Sequence, residues 1–233
     1  VSAKYIDHLK NENYKNKKLD LSSIKIITST GSPLAEESFK YVYKNIKHDV
    51  HLASIAGGTD LVGCLVLGNL YSSVHKGEIQ GQSLGIDVDV FTDQGKSTKD
   101  GDKGELVVKK PFPSMPVKFW GDNDGQKYHK AYFTRFENIW HHGDFIERTS
   151  NNGFIMRGRS DSTLNPGGVR IGTSEIYQQV EDIDFITEGL VVGQDFKDDV
   201  RIILFVTTKN NQELDDEKVK SIRARIRINC SPK

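Results

Sequence analysis

The sequence predicts an α/β fold in two parts, mixed sheets with a β-rich subdomain followed by a smaller α+β domain. Three observations predict it. An apolar β-rich run at residues 24–28 opens through the polar turn STGSP into residues 34–46, whose apolar positions recur at helical spacing. Beyond Gly77 the pattern becomes short strand-like runs punctuated by turn residues. After Arg159 a stretch rich in Gly, Ser and Thr gives way to a helix-like, a strand-like and a second helix-like segment.

Taken in order, Pro33 suits the first position of the first helix, and Glu36 with Glu37 suits the positive end of its dipole. A second strand at residues 50–56 ends in Gly57-Gly58-Thr59-Asp60, so two strands open into small polar loops that are able to face one ligand. Residues 84–91, the turn DQGK and residues 104–110 form a hairpin. Pro111, Pro113 and Pro116 interrupt the ladder before strand-like FIER and FIMRGR flank the turn SNNG. Residues 175–183 and 215–228 read as helices and residues 201–207 as a strand, with a domain boundary near residues 159–162.

The totals exclude several functions. Thirty-two Lys and Arg balance thirty-two Asp and Glu, so no global field recruits nucleic acid or an anionic membrane. The longest apolar stretch, residues 61–70, is broken by Gly63 and Gly68 and reaches about half the length of a bilayer span. Cys64 and Cys230 lie far apart without metal-ligand spacing, which favours a reducing, cytosolic compartment over a disulfide framework or a zinc site. The chain starts without Met inside a helix-like sequence and stops after a helical pattern, so both ends are expected to be interruptions.

Four segments carry possible chemistry. In STGSP, Gly31 permits close backbone approach and a helix follows, a geometry suited to a nucleotide and equally to an ordinary strand-to-helix turn. SIAGGTD sets the Thr59 hydroxyl and the Asp60 carboxylate beside two glycines, fit for phosphate and magnesium, or for a Gly-rich loop capped by Asp60. In WHHGDF, Asp144 follows a glycine and is able to accept two hydrogen bonds from ribose hydroxyls. The adjacent His141 and His142 point to opposite faces of an extended segment and cannot chelate one metal, which leaves them surface or packing roles. GRSDSTLNPGGVRIGTSEI is the most specific segment, with Arg159 and Arg170 bracketing a loop and able to reach one nucleotide.

The order STGSP, GGTD, GEL, WHHGD and GRSDSTLNPGGVRIGTSEIY resembles the superfamily of adenylate-forming acyl-CoA synthetases. STGSPL, GGTDLVGC, KGEIQ, KAYF and IWHHGD are closest in wording to its acetoacetate-activating branch. The resemblance implies ATP, Mg2+ and coenzyme A as partners of the acid, in two steps: an acyl-adenylate forms with release of pyrophosphate, and the CoA thiol then displaces AMP. It implies that residues 1–158 are the carboxyl-side part of a large adenylation domain, 159–162 a hinge and 163–233 an incomplete small domain. By position, Gly31, Ser32 and Pro33 would line the adenine, and Gly58 with Thr59 would meet the phosphates. Asp60 would hold Mg2+, while Asp144 and Arg159 would hold the ribose. Arg170 would approach the phosphate, Gly167 and Gly168 would make room for coenzyme A, and Asp161 would be the pivot. Gly57 stands where acetate-activating relatives carry a large Trp, so Gly57→Trp is expected to impair acetoacetate more than acetate.

Two parts of the superfamily pattern have no match here, the upstream phosphate loop ending in Lys and the downstream Gly-Lys. Lys233 follows Ser-Pro and does not take the latter role. The chain by itself is therefore expected to be inactive, with a non-catalytic nucleotide-binding module or a synthetase for another short acid as the other readings.

Overall fold

The computed structural model describes residues 1–16, 19–162, 164, 171–181, 183–196 and 199–230. It divides into two compact units, Val1–Met156 and Arg157–Lys233.

In the first unit, α1 (Ala3–Asn11) starts at Ser2, whose hydroxyl accepts the Tyr5 amide at 3.1 Å. It buries Ala3 and Ile6 against Leu34, Phe39, Val42 and Leu52. Strand β1 (Ile26–Ser29) leads to α2 (Glu36–Tyr41), which continues as a π-helical turn over Val42–Ile46. The helix begins at Glu36 after an Ala35 cap, so Pro33 belongs to the preceding loop rather than to the first helical position. Glu36 and Glu37 do occupy the first turn, where carboxylates oppose the exposed amides.

Strand β2 (His51–Ser54) runs parallel to β1, with Ser29 registered on Ser54. Their carboxyl ends are therefore neighbours, and the Ile55 amide donates to the Ser29 carbonyl at 2.9 Å. The glycines expected in a loop form a short strand instead, β3 (Ala56–Gly58), paired antiparallel with β4 (Gly63–Leu67). Strand β5 (Gly81–Gln82) completes this sheet.

The β-rich region is a four-stranded sheet of β6 (Val88–Phe91), β7 (Lys103–Val108), β8 (Trp140–Arg148) and β9 (Phe154–Arg159), in that order. A short helix, α3 (Gln126–Tyr132), precedes β8 and has no counterpart among the expected elements. Leu65, Val66, Val90, Leu106, Trp140 and Ile146 form the core under these sheets. Each such side chain contributes about 1.5–3 kcal/mol by leaving water.

In the second unit, α4 (Thr173–Val180) ends three residues before the expected Ile183. The Glu175 carboxylate accepts the Gly172 amide at its start, at 3.0 Å. A methyl group at Gly172 would stand 2.1 Å from the Arg157 carbonyl oxygen, so only glycine fits there. Strands β10 (Ile186–Phe196) and β11 (Asp199–Thr208) make an antiparallel hairpin, and α5 (Asp216–Cys230) follows. Leu164, Ile171, Ile176, Val191 and Cys230 are its core. Cys64 and Cys230 are free thiols. Among the described residues no helix is long and apolar enough to cross a membrane.

Candidate functional site

The parallel pairing of β1 and β2 sends both following segments out of the same edge, where open α/β sheets bind ligands. Gly31, Ser32 and Pro33 lie in the first segment, with Gly31 and Ser32 exposed and Gly31 at φ +88°. The second contains β3 and the turn that follows it. There Thr59 and Asp60 are exposed, and the Thr59 carbonyl accepts the Val62 amide at 3.3 Å.

Asp60 has an organised environment. The Tyr132 hydroxyl at the end of α3 donates to its Oδ2 at 2.5 Å. Its other oxygen lies over Gly58, within 2.0 Å of where a Cβ at that residue would sit. The same imagined Cβ would be 3.1 Å from the His142 ring carbon Cε1, so Gly58, Asp60 and His142 crowd one spot.

Alternation along β8 sets the other side. Trp140, His142 and Asp144 are buried on one face, and His141 turns to the opposite face, where its Nε2 meets Glu105 Oε2 at 2.8 Å. The opposed histidines were expected from the sequence, and of the surface and packing roles His142 takes the second. The Trp140 indole N–H donates to His142 Nδ1 at 3.4 Å, and His142 Nε2 lies 3.7 Å from Asp144 Oδ2. Tyr132 stacks on the same indole with ring centroids 3.7 Å apart and 12° between planes. Asp60 and Asp144 are thus linked through Tyr132, Trp140 and His142.

Tyr132 and Trp140 were not among the sequence candidates, and His142 entered only as a surface or packing residue. Tyr132 falls in KAYF, one of the segments that carry the resemblance, but nothing there marks its hydroxyl, whereas the period-two pattern through Trp140, His142 and Asp144 was there to be read. A cavity of about 320 Å³ opens beside Trp140 between Val108, Pro111, Met115, Tyr128 and Phe133, and none of the expected site residues lines it.

Gly57 sits in β3, and a methyl group there would come within 2.1 Å of the Gly63 carbonyl oxygen and 2.5 Å of the Cys64 Cα. The partner strand by itself demands glycine. Gly57→Trp would displace the β3–β4 hairpin before filling any pocket, so it does not isolate acyl size. In the second unit, the exposed Arg159 guanidinium pairs with Asp161 at 3.7 Å, beside a 3-10 turn over Ser160–Ser162. Gly167, Gly168 and Arg170 lie outside the described residues. Among the described residues no cluster of three or more His, Cys, Asp or Glu could enclose a metal ion.

No family model matches the sequence. The acetoacetyl-coenzyme A synthetase of Rhizobium meliloti (strain 1021) is 55% identical over 234 residues, all of this chain and 36% of that protein. Along its whole length, the chain is homologous to acetoacetyl-CoA synthetases. The Gallus gallus acetoacetyl-CoA synthetase is 44% identical over 99% of the chain and 35% of its own length. The solved acetoacetyl-CoA synthetase of Streptomyces lividans superposes with a TM-score of 0.88 at 37% identity, over 99% of this chain and 35% of that one. A benzoate CoA ligase from Burkholderia xenovorans LB400, 21% identical, shares the fold with a TM-score of 0.72 over 90% of this chain and 40% of its own. The chain spans about a third of the length of the acetoacetyl-CoA synthetases it matches, and the fold is that of one part of the adenylate-forming enzymes.

Proposed function

We propose that this chain serves the ATP-dependent activation of acetoacetate to its coenzyme A thioester. One observation carries the reading most: Asp60 and Asp144, chosen for metal and ribose chemistry, are joined through Tyr132, Trp140 and His142. Homology to acetoacetyl-CoA synthetases along the whole chain supports the acid and the thiol.

In the first step the acetoacetate carboxylate attacks the α-phosphorus of ATP, forming acetoacetyl-AMP and breaking the bond to pyrophosphate. In the second the CoA thiol attacks the acyl carbon, AMP departs with the bonding pair, and the thiol proton is lost. Gly31, Ser32 and Pro33 line the adenine, Gly58 and Thr59 meet the phosphates, and Asp144 accepts the ribose hydroxyls. Burial of Asp144 next to His142 suits that task, because a desolvated acceptor holds its partner more firmly. The donor set fits Mg2+, which is commonly held by one or two carboxylates together with phosphate oxygens rather than by a closed protein cage. When bound, Mg2+ offsets phosphate charge, and Asp60 is the residue that would hold it. On the second unit, Arg159 contacts ribose and Asp161 is the pivot. Arg170 engages phosphate, and Gly167 with Gly168 admits coenzyme A. Gly57 leaves space for the acyl chain. A cytosolic setting agrees with the two free thiols.

The test is thioester formation by the full-length protein with acetoacetate, acetate and butyrate in parallel. Preference for acetoacetate is the expected result. Preference for another acid overturns the substrate, and no thioester from any of the three overturns the activity.

A further inference from the structure

We propose that Tyr132 is a positioning residue that orients the Asp60 carboxylate for a divalent cation. The inference rests on the reading of Asp60 as the metal-holding carboxylate. Asp60 lies on an exposed turn, where an aspartate ordinarily samples several rotamers. Tyr132 removes that freedom. Its own ring is almost fully buried, stacked on Trp140 and met edge-on by Phe119 and Tyr128 at centroid distances of 5.7 and 5.4 Å. A ring so enclosed fixes its hydroxyl, and that hydroxyl donates to Asp60 Oδ2.

The bond leaves Oδ1 to do a different job from Oδ2. Oδ1 lies over Gly58, in space that any other residue at that position would fill with its Cβ. Glycine and tyrosine act together: one clears the place for the oxygen and the other holds it there. Hydrogen-bond partners of this kind behind a metal-binding carboxylate change cation affinity by roughly 10–100-fold when removed. No such role attaches to the cavity beside Trp140, whose lysines Lys109 and Lys110 are already paired with Asp87 and Asp89.

The experiment titrates the full-length protein into the Mn2+ complex of ATP, reading protein-bound Mn2+ by the enhancement of water-proton relaxation. ATP binding in EDTA and the thermal midpoint are measured alongside. Tyr132→Phe keeps the stacked ring and deletes only the donor. Mn2+ binding about tenfold weaker, with metal-free ATP affinity and midpoint unchanged, is the expected result. Loss of all three together would mean a merely structural hydroxyl and overturn the proposal. Unchanged Mn2+ binding in Tyr132→Phe, with binding lost in Asp60→Asn, overturns the tyrosine's role while sparing that of Asp60. Unchanged binding in Asp60→Asn removes the underlying reading as well. Should Tyr132→Phe not fold, Gly58→Ala tests the same geometry by displacing Oδ1: about tenfold weaker Mn2+ binding with metal-free ATP affinity kept is expected, and no loss, or an equal loss of ATP affinity, contradicts it.

Discussion

His142 Nδ1 accepts a hydrogen bond from the Trp140 indole N–H, and the ring sits beside Asp144, so its imidazole is a buried spacer between the two. Replacing it with alanine leaves the Trp140 N–H without its acceptor. His142→Ala should cost about 1–3 kcal/mol, measurable as a lower urea midpoint with an unchanged slope, and should weaken ATP binding because Asp144 loses its neighbour. Sequence alone put the two histidines on opposite faces, since strand alternation is local. The Tyr132–Asp60 bond was illegible for the opposite reason: it joins residues far apart in the chain, and nothing near position 132 marks its hydroxyl as aimed at a carboxylate. Gly57 was legible as a special glycine, but its cause, the Gly63 carbonyl across the hairpin, needs the pairing register.

Helix α3 shows why a short element escapes a periodicity reading. Seven residues are too few to establish a 3.6-residue repeat, and the preceding GDNDG looks like turn sequence throughout. What starts the helix is Asp122, whose carboxylate accepts the Lys127 and Tyr128 amides at 3.1 and 2.9 Å while Gly125 adopts φ +71°. Asp122→Ala should speed amide exchange at Lys127 and Tyr128 in hydrogen-exchange measurements. It should also weaken Mn2+ binding, because Tyr132 closes the same helix. Strands β1 and β2 were legible from their apolar runs, whereas β3 was taken for loop because two of its three residues are glycine. Its pairing with β4 overrides that propensity.

Across the molecule, the α/β class followed from the strand-like and helix-like runs of the sequence. The ionic ties inside the first unit did not, because they join different strands. Asp89 on β6 meets Arg148 on β8 at 2.6 Å and Lys109 at 3.1 Å. Burial pushes its carboxyl up, but hydrogen bonds from Ser97, the Val90 amide and Lys109 outweigh this and hold it below the usual carboxylate range. A carboxyl depressed by folding adds stability that is complete above its unfolded value, about pH 4, and is lost as pH falls through its folded value. Asp89→Asn should therefore lower stability near neutrality by roughly 1–2 kcal/mol and flatten its fall below about pH 4, as read by denaturation across pH. Acetoacetate-dependent exchange of labelled pyrophosphate into ATP by the full-length protein tests the proposed activation of acetoacetate as an adenylate most directly. Exchange that needs acetoacetate and disappears in Asp144→Ala is the predicted result; no exchange, or exchange that ignores the acid, would contradict it.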